Sequence, residues 1–316
     1  MDRMPEKPEE SGRIRPEFGI CQGNLSYLDA ESGMLRSQAD AICEDCVRTI
    51  LNAYRALPNE EAVPLPAFFS AFVSQHLLPD VPDRNERTGL LFRLCRHLSL
   101  RMSDPEIREA LLAYLHIEQP EMPALRTILY VNNPQIQSAL RSFSSVFPDA
   151  EAVPCLNFSD GCEDVASGNA DACVIPLITS QDGLLHGFIS TLDRFDLKIS
   201  NICSVRSYGE EQPERFTMYA LARRDLILPR EDEPVKIVLE LYFSGETPLD
   251  SLPLAELRSV LSVSLIQSVP DARLSGVESV YLILDAHEAK GILPFLMFLR
   301  EAKIAYAILG LCPNPK

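Results

Sequence analysis

The chain has 316 residues, 46% of them apolar and 23% charged, with a formal net charge of −16 and a pI near 4.8. That length allows two or three domains, each with its own core, and the composition is ordinary for a globular protein. The acidity argues against non-specific binding to nucleic acid or to an anionic membrane, and no apolar run approaches the roughly 18 residues of a membrane span.

The opening, MDRMPEKPEESGRIRPEF, is charged and proline-bearing, unlike a signal peptide, and residues 1–30 read as a poorly ordered tail. Nine cysteines, an odd number without framework spacing, suit a reducing cytoplasm. Cys43 and Cys46 form a C-x-x-C with no second pair and no histidine nearby, so they read as small packed side chains rather than zinc or redox ligands. From Leu35 a helical stripe takes in Ala39, Ile42, Cys46, Val47, Ile50, Leu51 and Tyr54. Pro58 ends it. Further helices are expected over 66–78, led by Pro66, over 84–102, and from 104, where Asp104 can cap and Pro105 suits the first turn. Residues 31–119 thus form a helical domain, with His97 and His116 packed or half-exposed on its stripes.

A linker at 120–123 leads to a second unit, 124–227. TILYV (127–131) is a strand, IQSALRSFSSVF a helix and AVPCLNF a strand. CEDVAS is helical and closed by Gly168, ACVIPL is a buried strand, and a helix follows Gly183 with apolar positions 184, 185, 188, 189, 192 and 195. Strands KISNICSV and RFTMYALA (215–222) complete a lobe with a mostly parallel sheet. After a charged linker, 234–316 reads β-α-β-β-α-β, the ferredoxin-like order. The fold class is therefore α/β and α+β, multidomain.

The wording of the second unit resembles the prephenate dehydratase family. Glu163-Asp164-Val165, Gly168-Asn169-Ala170-Asp171 and Val174-Ile175-Pro176-Leu177-Ile178-Thr179-Ser180 stand where that family has an acidic helix, G-x-A-D and V-P-I-E-N-S. Ile178 and Thr179 replace its Glu and Asn. Glu214-Arg215-Phe216 stands where it has T-R-F. The resemblance implies a catalytic set of Arg215, Glu214, Phe216 and Ser180, with Arg215 binding a substrate carboxylate in bidentate fashion. An ionised Glu214 cannot donate a proton and repels a dianion by about 4 kcal/mol at 4 Å and an effective dielectric of 20. Only 33 residues separate Ser180 from Glu214, too few for the family's second lobe, and Asn132-Asn133-Pro134-Gln135 replaces its glycine-rich loop.

The last unit resembles the ACT module that closes these enzymes. Gln267-Ser268-Val269-Pro270 stands for E-S-R-P, Leu309-Gly310-Leu311-Cys312-Pro313 for L-G-S-Y-P, and Thr247-Pro248-Leu249 for the G-A-L loop. That likeness implies a regulatory amino-acid site at Gln267, Ser268, Pro270 and Leu249, and a homodimer paired through ACT sheets. The helical domain stands where chorismate mutase stands in the bifunctional enzymes, with Arg36 matching one of its arginines and Arg55 displaced by two residues. The resemblance implies a small aromatic ligand, prephenate or phenylalanine, with neither cofactor nor metal, and no nucleic-acid or membrane partner. Function follows as catalytically impaired, regulatory or ligand-sensing. The alternative is an active dehydratase, making phenylpyruvate, water and CO2, its cleft completed by a partner chain or by the helical domain.

Overall fold

The computed structural model describes residues 17–57, 64–73, 84–117, 124–209, 212–229, 232–244, 251–271 and 276–313. Side chains are described throughout these except at 17–33, 35–36, 84–86, 207–209 and 212–214. Four helices come first: α1 (Glu17–Arg55), α2 (Leu65–Phe72), α3 (Arg84–Ser99) and α4 (Asp104–Leu115). The expected tail is therefore helical from Glu17 onward. On α1 the buried positions are Cys43, Val47, Ile50 and Leu51, while Ile42 is 62% exposed. The core stripe thus runs through Cys43, whose thiol is pushed up to about 11 by burial, an inert packed sulfur. The cap of α4 is Ser103 rather than Asp104. The Glu106 carboxylate accepts from its backbone N–H at 2.7 Å and from its hydroxyl at 2.8 Å, which answers the open donors of a first turn.

The second segment runs β1 (Thr127–Val131), α5 (Pro134–Val146), β2 (Glu151–Cys155), α6 (Phe158–Ser167), β3 (Ala172–Thr179), β4 (Gly183–Leu184), α7 (His186–Arg194), β5 (Lys198–Gly209) and β6 (Gln212–Arg223). Asn133 caps α5 by accepting from the Ile136 N–H at 2.8 Å, and Asn157 caps α6 by accepting from the Asp160 N–H at 2.9 Å. The Asn132-Asn133-Pro134-Gln135 stretch is thus a helix start. Gly168 closes α6 in the left-handed conformation, φ 82°, the conformation glycine adopts at least cost.

The last segment is β7 (Val235–Ser244), α8 (Leu254–Leu257), β8 (Ser262–Pro270), β9 (Val277–Ala286), a 3-10 turn at Ala289–Ile292, α9 (Leu293–Glu301) and β10 (Ala305–Pro313). Its antiparallel order, β10-β7-β9-β8, is ferredoxin-like. The expected helix at LPLAELRSVL shrinks to one turn, because the Ser259 hydroxyl bonds the Glu256 carbonyl at 2.6 Å and so competes with the helical ladder.

The strands do not fall into two sheets. They form one ten-stranded mixed sheet, β2-β1-β3-β6-β5-β10-β7-β9-β8, with β4 paired to β3. β1 pairs in parallel with β2 and β3, β6 runs antiparallel between β3 and β5, and β5 meets β10 in parallel at Ile199 and Gly310. A Cβ on Gly310 would lie 2.5 Å from the Ile199 Cβ and 2.6 Å from its carbonyl oxygen. Only glycine permits that approach. The Cys312 thiol adds a bond to the same carbonyl at 3.6 Å.

Nor does the helical region stand apart. α9 is buried at every position from Leu293 to Leu299, as a helix apolar on all sides must be. One side meets the ferredoxin-like sheet (Ile237, Leu239, Leu282) and another meets α3 and α4 in the same core cluster. Phe92 and Phe298 touch edge to face, centroids 6.0 Å apart. The opposite face of that sheet (Val238, Tyr281, Ile283) is covered by Leu184, Ile189 and Leu192 from β4 and α7. A smaller core under α5 joins Ile128, Ile136, Phe143 and Val174.

Replacing Gly310 with alanine forces β5 and β10 apart. Denaturant unfolding of Gly310→Ala should show a loss of about 1–3 kcal/mol, the usual range for overpacking; an unchanged midpoint would contradict the close approach.

Candidate functional site

The residues singled out by the sequence gather where the β3–β4 hairpin, the start of β6 and the edge strand β8 meet. β3 can carry Pro176 because β1 pairs only with its first two residues, at Ala172 and Cys173, and the ladder to β6 slips between Pro176 and Ile178. Ile178 then turns into the core, 6% exposed. A position that is carboxylate-bearing in the resembled family is here an apolar packing position. The Thr179 hydroxyl donates to Asp182 and accepts from its backbone N–H, both at 2.9 Å, and Gly183 completes the turn at φ 69°.

Ser180 and Phe216 are brought together. The Ser180 N–H donates to the Phe216 carbonyl at 3.0 Å and the Phe216 N–H to the Ser180 hydroxyl at 3.3 Å. Ser180 and Arg215 are exposed and Phe216 is 39% exposed. On the neighbouring strand Ser207 stands opposite Arg215 and Arg206 opposite Phe216. The Glu214 side chain and all of Leu249 lie outside the described residues, as do the side chains of Leu35 and Arg36.

The β8 residues part company. The Gln267 amide points inward: its Oε1 accepts from the Leu184 N–H at 3.0 Å and its Nε2 lies 3.3 Å from His186 Nε2. With Oε1 engaged as acceptor, the amide NH2 donates, which assigns His186 Nε2 as an acceptor and places its proton on Nδ1. Ser268 faces out and its hydroxyl donates to the Glu278 carboxylate. Pro270 is exposed opposite Glu278 at the strand end.

Behind Gln267 lies a polar row that the sequence reading passed over. In register across β8, β9 and β7 stand Gln267, Tyr281 and Glu240. Glu240 is 1% exposed, and its carboxylate accepts from the Tyr281 and Tyr242 hydroxyls at 2.9 and 3.0 Å. The His186 ring sits 5.4 Å from the Tyr281 ring. A buried carboxylate is tolerated when its oxygens are bonded, and this row does that work across three strands. The available signal was the single Glu inside IVLELYF, a charge on an otherwise apolar strand.

Among the described residues no His, Cys, Asp and Glu side chains gather as a metal group, and no helix is long and apolar enough to cross a membrane. No protein-family model matches the chain, and no curated protein matches it. Solved structures similar to it include a prephenate dehydratase from Streptococcus mutans, 19% identical with a TM-score of 0.45, covering 60% of this chain and 100% of that one. A prephenate dehydratase from Arthrobacter aurescens in complex with L-Phe is 16% identical, TM-score 0.45, over 60% of this chain and 90% of that one. GqqA, described as a novel type of quorum quenching acylase, is 17% identical, TM-score 0.47, over 60% and 96%.

Truncating Gln267 leaves the Leu184 N–H and the His186 acceptor without their partner. Gln267→Ala should cost about 1–3 kcal/mol in urea unfolding, whereas Ser268→Ala, on the outer face, should stay within about 0.5 kcal/mol; equal effects would show that Gln267 does not clamp the hairpin.

Proposed function

We propose that this chain is a divergent relative of the prephenate dehydratase family that has given up turnover and acts through its ACT-like module, in assembly or in sensing a small aromatic ligand. The observation that carries this reading is the use made of the segment between Ser180 and Glu214. That segment supplies β4, α7 and β5, and α7 is spent covering the ferredoxin-like sheet. Arg215 and Phe216 then face outward, with no wall opposite them among the described residues. A dianion losing carboxylate and hydroxide needs enclosure and a proton source. Ile178 in the core removes one polar group that the family places there.

The same geometry supports pairing of two copies through β8. β10, one edge strand of the ferredoxin-like module, is already joined to β5, so β8 is the module's open edge among the described residues. An uncovered edge is a ready template for a second strand. Ser268 and Pro270 lie on that edge, and a ligand held there would contact both copies.

Incubation with prephenate should give no phenylpyruvate above the uncatalysed rate. Turnover at an enzymatic rate that is lost in Arg215→Ala would overturn the reading in favour of a working dehydratase. Light scattering should give twice the 35.2 kDa chain mass. Calorimetry with phenylalanine and tyrosine should show heat for at least one; silence from both together with a single-chain mass would remove the sensing and assembly roles.

A further inference from the structure

Two arginines one turn apart on α3 are treated differently by the rest of the chain. Arg93 is matched twice, to Asp40 at 3.1 Å and to Glu256 at 3.4 Å, so its charge is settled between α1 and α8. Arg96 lies on the same side of the helix and is also half-buried. It lines the small cavity beside Arg93 and a larger one of about 450 Å³. Among the described residues its guanidinium has neither an ion pair nor a hydrogen-bond partner. The negative end of α3 compensates part of that charge, but a half-buried guanidinium presents five donors that want acceptors.

The larger cavity lies between the α3–α4 corner and the loop joining β9 to α9. Its floor is apolar, formed by Met102, Ile107, Val260 and Pro294. Leu100, 68% exposed, stands at its lining, a large apolar side chain left facing solvent. Lys290 also lines it but is committed to Glu288 at 2.8 Å. Asp104 contributes an anion to the same lining. With Lys290 and Glu288 cancelling each other and Asp104 beside them, a dianion such as phosphate is disfavoured, while one carboxylate can be taken by Arg96.

We infer that this cavity binds a small monocarboxylate with an apolar tail, the carboxylate on the Arg96 guanidinium and the tail over Met102 and Ile107. A volume of this size suits a small molecule. The site lies apart from the β8 residues and stands whether or not the reading of the family resemblance holds. Because its walls come from the helical region and from the ferredoxin-like module, the occupant bridges the two.

The probes are 4-methylpentanoate, its neutral amide 4-methylpentanamide, L-leucine and inorganic phosphate, each titrated against the full chain by calorimetry and thermal shift. The acid, or the amino acid if Asp104 takes up its ammonium, should saturate with a Kd on the order of 1 mM, and the amide and phosphate should not. Arg96→Gln should weaken that binding by about tenfold or more while leaving the unliganded melting temperature unchanged. Amide binding as tight as acid binding, no saturation by either carboxylate, or Arg96→Gln retaining affinity would each overturn the assignment. The acid–amide comparison needs only the unmutated chain, so it decides even if the variant does not fold.

Discussion

The architecture depends on one close approach, Gly310 against Ile199. At that point two sheets that the chain order presents as separate become one, and the backbones come so near that no side chain fits between them. Once they are joined, the rest follows from burial. The ferredoxin-like sheet has two apolar faces, and each must be covered. Helix α9 covers one, and α3 and α4 seal α9 in turn. The β3–β4 hairpin and α7 cover the other. The ferredoxin-like module is thus held on both faces and one edge. Anything that shifts its strands must also shift the lobe or the helices.

What the sequence made legible was local. The helix–strand–helix unit around ACVIPL, the β-α-β-β-α-β order of the last segment and the single-helix excursion after Ser180 all follow from period and punctuation. The fusion was not legible, because β5 and β10 are far apart in sequence and nothing near either strand names its partner. Gly310 carried the only hint, a glycine inside an apolar strand. The lobe's own sheet is mixed because β6 runs antiparallel between β3 and β5, a direction that the period of its residues does not reveal. Helix α1 had a local signal that was over-read: a stripe drawn through Ile42 fits the period nearly as well as one through Cys43, and only α3 decides between them. The inward role of Gln267 was hidden too, since alternation along an edge strand cannot say whether its inner face meets a ligand or a neighbouring hairpin.

The motif residues quoted from the sequence have structural work to do. Gly168 supplies a left-handed helix end. The Asp171 carboxylate accepts from the Arg126 and Thr127 N–H groups at 2.7 and 2.9 Å, pinning the start of β1 beside β3. Ala170 is buried in the core beneath β3. Gly183 closes the hairpin against Gln267, whose Oε1 would lie 2.8 Å from any Cβ placed there. Each of these constraints belongs to the scaffold and would remain if no substrate ever bound. Likeness at scaffold positions therefore speaks for the fold, and function has to be argued from the site.

Gln267 shows the two pressures meeting in one residue. The hairpin offers it a donor, the Leu184 N–H, and an acceptor, His186 Nε2, side by side. An ionised carboxylate could serve both only with the His186 proton moved to Nε2. It would also bring a second negative charge into the row that already buries Glu240. An amide satisfies both neighbours and adds no charge. Gln267 thus suits the docking of the hairpin on the sheet.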